Sequence, residues 1–267
     1  MRDTQRALRR WPLALAVRDA RRVLWLRATR HSVSAKDLAE SAAVVREAVR
    51  ERPLRRPEID QLVGRDRAIG VGLWEDFVRV PPSGTWERRR ADLYAASEDW
   101  LGPPPASLDV ESATEHLIRR YLTGFGPATA ADVADWGGLR PADVLALLER
   151  LDLRRFADEG GRTLYDLPDG PLPDPDTPAP VRFLPTWDAS LLVHARRKAM
   201  IAEEHRPTVF NTKTPHSVAT FLVDGTVAGT WRYEKGRVVP DPFEPLRPTV
   251  RGEVDAEAER LGAFYGD

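Results

Sequence analysis

The side chains most able to do chemistry in this chain are guanidinium groups. Forty basic residues nearly balance 41 acidic ones, for a formal net charge of −1, and all but four of the forty are arginine. They fall in groups: Arg65 and Arg67; Arg88, Arg89 and Arg90; Arg140, Arg154, Arg155 and Arg162; and Arg196 and Arg197 beside Lys198. A guanidinium is a planar fork of five donors that matches the oxygens of a phosphate. Neutralising phosphates supplies most sequence-independent affinity for DNA, so a basic face matters more than a basic total. One arginine alone is more often solvated or ion-paired; it is the grouping that points to a polyanion. Residues 1–36 add ten basic side chains against Asp3 and Asp19, read either as part of such a face or as a solvated terminus.

Other chemistries find little support. There is no cysteine, which removes disulfides, thiolate metal sites and a cysteine nucleophile. The histidines at 31, 116, 194, 205 and 216 are scattered, and Glu203-Glu204-His205 reads as a solvated helix end, so neither metal nor cofactor is expected. No phosphate-cradling glycine loop and no nucleophile elbow occurs. The apolar stretch Trp11–Val17 is too short to cross a bilayer and runs into Arg18, so no membrane partner and a cytoplasmic, nucleoid-associated location are expected.

The elements that must position the arginines follow from pattern. Ser34 and Asp37 signal a helix start, with Leu38, Ala42, Val45, Ala48 and Val49 on one face of a helix ending near Pro53. A second helix is predicted over 57–63, with Leu54, Ile59, Leu62 and Val63 buried, and a third over 66–78. Strand-like runs around Pro81-Pro82-Ser83-Gly84 follow. The order recurs: helices over 112–123, 129–136 and 141–151, then a glycine-centred hairpin over 154–167. Three helices and a two-stranded wing are the parts of a winged helix-turn-helix. The prediction is an α+β chain with tandem winged-helix units at 37–101 and 110–168. The 141–151 helix carries Asp143 and Glu149 outward, which does not suit base reading in the major groove. Residues 168–180 are rich in proline and aspartate and read as a linker. Beyond them, 181–267 is predicted to form a β-rich, barrel-like domain with an Asp224-Gly225 hairpin and a terminal helix over 255–266.

Four strings, RRYLTGFGPATAADVADWGGL (119–139), RFLPTWDASLL (182–192), LVDGTVAGTWR (222–232) and LRATRHSVSAKDL (26–38), occur in the order found in one family. The chain resembles the winged-helix DNA-binding proteins that include the AlkZ-type (YcaQ-like) bacterial DNA glycosylases. The last string is similar to the family's Arg-Gly-Thr-x-His segment, with Ala28 in place of the glycine. The resemblance implies excision of alkylated or crosslinked bases from duplex DNA, and it adds Arg27, Thr29 and His31 to the DNA-binding candidates. His31 is read either as a phosphate or base contact or, with Thr29, as part of a turn. Asp188 is read as a loop cap or anchor. Family chemistry is assigned to a Gln-x-Gln motif ahead of the Arg-Gly-Thr-x-His segment. The only glutamines here, Gln5 and Gln61, cannot form it, and that segment is expected to be missing, leaving 1–36 as a basic remnant of a first winged-helix unit. The expectation is a monomeric, non-catalytic DNA-binding member. The alternatives are an active glycosylase using other polar groups, and a regulator or protein-interaction module.

Overall fold

In a computed structural model, the protein is described over residues 33–85, 88, 90, 92–192, 197–211 and 216–266, with Ala16, Val17 and Arg22. Its contacts divide it into two compact units, Met1–Pro168 and Asp169–Asp267.

The first unit opens with α1 (Ala35–Glu51), whose start is set by a reciprocal cap. Ser34 Oγ accepts the Asp37 N–H at 3.1 Å, and the Asp37 carboxylate accepts the Ser34 N–H at 3.1 Å. Two otherwise orphaned donors are satisfied by this exchange. After α1 come β1 (Leu54–Arg55), α2 (Arg56–Val63), α3 (Arg65–Ala68), β2 (Phe77–Arg79), β3 (Leu93–Ala96) and α4 (Ser97–Leu101). Leu38, Ala42, Val45 and Val49 are the buried stripe of α1, and the last three share a core with Leu54 and Phe77. Ile59, Ala68, Val71 and Ala96 close that core. Strand β3 lies centrally, antiparallel to both β1 and β2. The single helix predicted over 66–78 is not formed: Gly70 and Gly72 interrupt it, a 3₁₀ turn fills Val71–Leu73, and Phe77–Arg79 joins the sheet. Glycine in a helix interior costs up to about 1 kcal/mol relative to alanine. Leu62, expected inside, is 47% exposed.

The same order of elements follows: α5 (Val110–Phe125), α6 (Ala130–Gly137), α7 (Pro141–Leu148), β4 (Arg154–Ala157) and β5 (Thr163–Asp166). Asp109 with Ser112, and Thr129 with Asp132, cap α5 and α6 as Ser34 and Asp37 cap α1. Ile118, Tyr121, Val133, Val144, Leu148 and Tyr165 form the core of this second module. Ala16 and Val17 pack against Ala113 and Leu117 of α5. A Cβ at Gly126 would lie 2.3 Å from the Asp166 carboxylate, so only glycine lets the hairpin close onto the end of α5.

Residues 167–181 carry no helix or strand. The second unit is built on β6 (Arg182–Leu184), followed by short helices α8 (Ala189–Leu192), α9 (Arg197–Met200) and α10 (Arg206–Val209). The pair β7 (Phe210–Asn211) and β8 (His216–Ser217) comes next, then β9 (Thr220–Val223), β10 (Thr226–Glu234) and β11 (Arg237–Pro242). Asp224-Gly225 and Lys235-Gly236 turn the β9–β10 and β10–β11 hairpins with positive φ at both residues (48° and 73°, 50° and 78°), as type I′ turns require. The sheet is antiparallel with order β11-β10-β9-β6. It is open among the described residues, which corrects the barrel-like expectation. Four strands, one of them only three residues long, leave too narrow a sheet to close on itself around a filled interior. The terminal helix α11 (Pro248–Gly266) starts two turns earlier than the predicted 255 and packs along β11.

Candidate nucleic-acid interface

The base of the first module's hairpin is tied by one hydroxyl. Buried Ser83 accepts the N–H groups of Asp92 and Leu93 at 2.5 and 3.1 Å and donates to the Arg90 carbonyl at 2.9 Å. The Gly84 N–H donates to the Arg88 carbonyl at 2.7 Å. Arg88 and Arg90 are thereby each tied through their carbonyls, and both are exposed. Arg65 is exposed at the start of α3, and exposed Arg79 reaches over the Tyr94 ring at 5.8 Å. Among the described residues, none of Arg65, Arg79, Arg88 and Arg90 has a carboxylate within ion-pair distance. Arg67 does: it lies 3.2 Å from Asp37. The Asp37 carboxyl is held below its ordinary value chiefly by the Ser34 hydroxyl and N–H, with Arg67 a smaller influence.

The second module treats its arginines differently. Arg140 forks onto Asp143, with Nε–Oδ2 at 2.7 Å and Nη2–Oδ1 at 3.1 Å. Arg150 pairs with Glu111 at 2.9 Å and Arg162 with Asp158 at 2.6 Å. Arg154 donates to the Leu167 carbonyl at 2.9 Å and lies 3.7 Å from buried Asp166. Arg155 pairs with Glu149 at 2.8 Å and stacks over Tyr165 at 5.7 Å. The Tyr165 hydroxyl completes that knot by donating to Glu149 at 2.5 Å. This bond, then Arg155, holds the Glu149 carboxyl low; burial first, then Glu149, pushes the tyrosine hydroxyl up. Backbone and side-chain donation from Arg162 likewise lowers Asp158. Exposed pairs of this kind are worth roughly 0–1 kcal/mol each, but they present little net charge to a phosphate. Along α7, Pro141, Ala142, Asp143, Leu145 and Ala146 face solvent, an apolar and acidic surface with no fork for base edges.

The structure therefore gathers Arg65, Arg88 and Arg90 in one module and adds Arg79, which the sequence reading missed. Its signal was the alternation Val78-Arg79-Val80 on an edge strand. Arg27, Thr29, His31, Arg89 and Arg196 lie outside the described residues, and Arg197 and Lys198 sit in α9 with side chains outside them. Asp188 accepts the Ser190 N–H at 2.9 Å at the entry to α8. His205 stacks on Phe243 with ring centroids 4.2 Å apart. No helix among the described residues is long and apolar enough to cross a membrane.

Comparison with known proteins bears on these observations. Residues 1–264 match the family described as "DNA glycosylase AlkZ-like". The fold is similar to the solved structure of Streptomyces sahachiroi DNA glycosylase AlkZ, with a TM-score of 0.72 at 20% identity, covering 94% of this chain and 74% of that one. No curated protein sequence matches.

Proposed function

The chain belongs to the AlkZ-like DNA glycosylase family, and from that premise we propose that it binds duplex DNA chiefly through the phosphate backbone and does not itself hydrolyse the glycosylic bond through a Gln-x-Gln pair. In this reading residues 37–101 and 110–168 are tandem winged-helix units, and 181–267 is a β-rich companion. The first unit is the grip. The observation that carries this is the set Arg65, Arg79, Arg88 and Arg90, exposed and without carboxylate partners among the described residues. The second unit acts as a scaffold, because the arginines flanking α7 and those of its hairpin are committed to Asp143, Glu111, Glu149, Asp158 and Asp166, with Arg120 alone of its described arginines outside ion-pair distance of a carboxylate among the described residues. Arg27, Thr29, His31, Arg89, Arg196, Arg197 and Lys198 extend the proposed contact set.

The catalytic half of the proposal rests on composition. A water-positioning pair that acts in the transition state is worth orders of magnitude in rate. Glutamine occurs only at 5 and 61, and Gln61 is exposed on α2. Two measurements test the reading. Affinity for random duplex, titrated with salt, is expected to fall linearly in log–log form with a slope near −0.9 per phosphate neutralised; a flat response would end the backbone reading. Duplex containing N7-alkylguanine, scored for abasic sites, is expected to stay intact, and multiple turnovers would restore catalysis to this chain.

A further inference from the structure

Between α1, residues 74–76 after the 3₁₀ turn, the end of β3, the start of α4 and residues 104–108 lies a cleft of about 230 Å³ that the DNA reading does not use. Its polar lining is Arg46, Glu75, Asp76, Ser97 and Glu98, and its apolar lining is Trp74, Pro104, Pro105 and Leu108. Arg46 bridges two of the carboxylates, lying 3.3 Å from Glu75 and 2.9 Å from Glu98. Three carboxylates in the lining against one lining guanidinium, with Arg22 a second at the Trp74 wall, leave the cleft acidic by one charge. Asp76 is half-buried, and among the described residues its carboxylate has no hydrogen bond or ion pair. Ser97 is 0% exposed, and among the described residues its Oγ has no hydrogen-bond partner. Native interiors rarely leave such groups unmatched, because a buried hydroxyl without a partner forfeits the hydrogen bonds it would make to water.

We propose that this cleft is a binding site for a guanidinium group supplied by a partner, with Asp76 as its charge partner, Ser97 Oγ as a further acceptor and Trp74 as an apolar face. The walls already hold guanidinium by the same chemistry. Arg46 lies across Glu75 and Glu98. Arg22 sits 5.2 Å from the Trp74 ring centroid and donates to the Leu73 and Trp74 carbonyls at 2.6 and 3.2 Å. A planar cation bearing several N–H donors suits acidic, aromatic surroundings better than a compact ammonium does. The site is independent of the proposed DNA grip, so each stands or falls alone.

The test uses the full chain and N-acetyl-arginine amide as probe, followed by calorimetry and by NMR of the tryptophan indole N–H groups. Binding on the order of millimolar is expected, with the neutral citrulline analogue at least tenfold weaker and the lysine analogue in between. Asp76→Asn is expected to weaken the arginine probe about tenfold and Ser97→Ala about threefold, with melting temperatures tracked to confirm that each variant is folded. Duplex affinity should not change in either variant. Equal binding of the citrulline analogue, unchanged binding in both variants, or no binding at all would overturn the assignment. Tighter binding of N7-methylguanosine than of the arginine probe would overturn the guanidinium identity in favour of a cationic base.

Discussion

The two helix-and-hairpin modules of the first unit share an order of elements and a style of helix cap. Yet among the described residues the first keeps a set of exposed arginines unpaired beside its paired Arg46, Arg55, Arg56 and Arg67, whereas the arginines flanking α7 and those of the second hairpin are paired. In the first, Arg65, Arg79, Arg88 and Arg90 stand exposed without carboxylate partners among the described residues. In the second, Arg140, Arg150, Arg155 and Arg162 each meet a carboxylate within 3 Å, and Arg154 approaches Asp166. Residues 37–101 hold eleven arginines and 110–168 seven, but the count does not say which of them are available. The lesson is that a guanidinium is available to a phosphate only in proportion to what it would have to release.

The largest expected effect separates scaffold from grip. Leu148→Ala empties a 0% exposed core position in the second module and is expected to lower unfolding free energy by about 2–5 kcal/mol, leaving the salt dependence of DNA binding in place. Denaturant melts read the first quantity, and a parallel loss of salt slope would show the second module to be part of the grip. Next comes the pair of triple variants. Arg65, Arg88 and Arg90 changed together to Ala should reduce the salt slope by about 0.9 per residue and weaken binding roughly tenfold or more. Arg140, Arg155 and Arg162 changed together should move it little; equal losses would erase the contrast. A smaller, opposite change is expected from Asp143→Asn. It frees Arg140 and should tighten duplex binding about twofold, with a steeper slope; an unchanged slope would mean that Arg140 faces away from DNA.

The smallest effect concerns acid. Asp37, Glu149 and Asp158 have folded values below their unfolded ones. Their stabilisation is therefore complete above the unfolded carboxylate range, near pH 4, and is lost as pH falls through the folded values. The second module's pairs should hold from pH 7 to pH 5, so its arginines are not released there. Thermal melts across pH 7 to 3 should stay level before dropping, and a loss beginning near neutrality would point to another group.

What was legible in the sequence was local. Ser34 with Asp37 acts within one turn, and Asp224-Gly225 fixes its hairpin by backbone preference alone. The order of helices and hairpins followed from such signals. Pairings across the chain were not legible: Arg150 meets Glu111 across 39 residues and Arg67 meets Asp37 across 30. Tertiary packing decides which carboxylate swings within reach. Arg140–Asp143 and Arg162–Asp158, only three and four residues apart, could have been anticipated from spacing. The helix expected over 66–78 failed because its apolar period outweighed Gly70 and Gly72 in the reading, whereas strand pairing outweighs that period in the fold. Closure of the C-terminal sheet, too, depends on strands meeting far apart in sequence, which no short string records.

Ser83 has a consequence for association. Because its hydroxyl gathers the N–H groups of Asp92 and Leu93 and the Arg90 carbonyl, the backbone at Arg90 is tied at that point by the fold itself. Its conformational entropy is given up once, during folding, and not again at each encounter. Loosening that knot with Ser83→Ala would therefore move the penalty into the dissociation constant, even though Ser83 itself touches no phosphate.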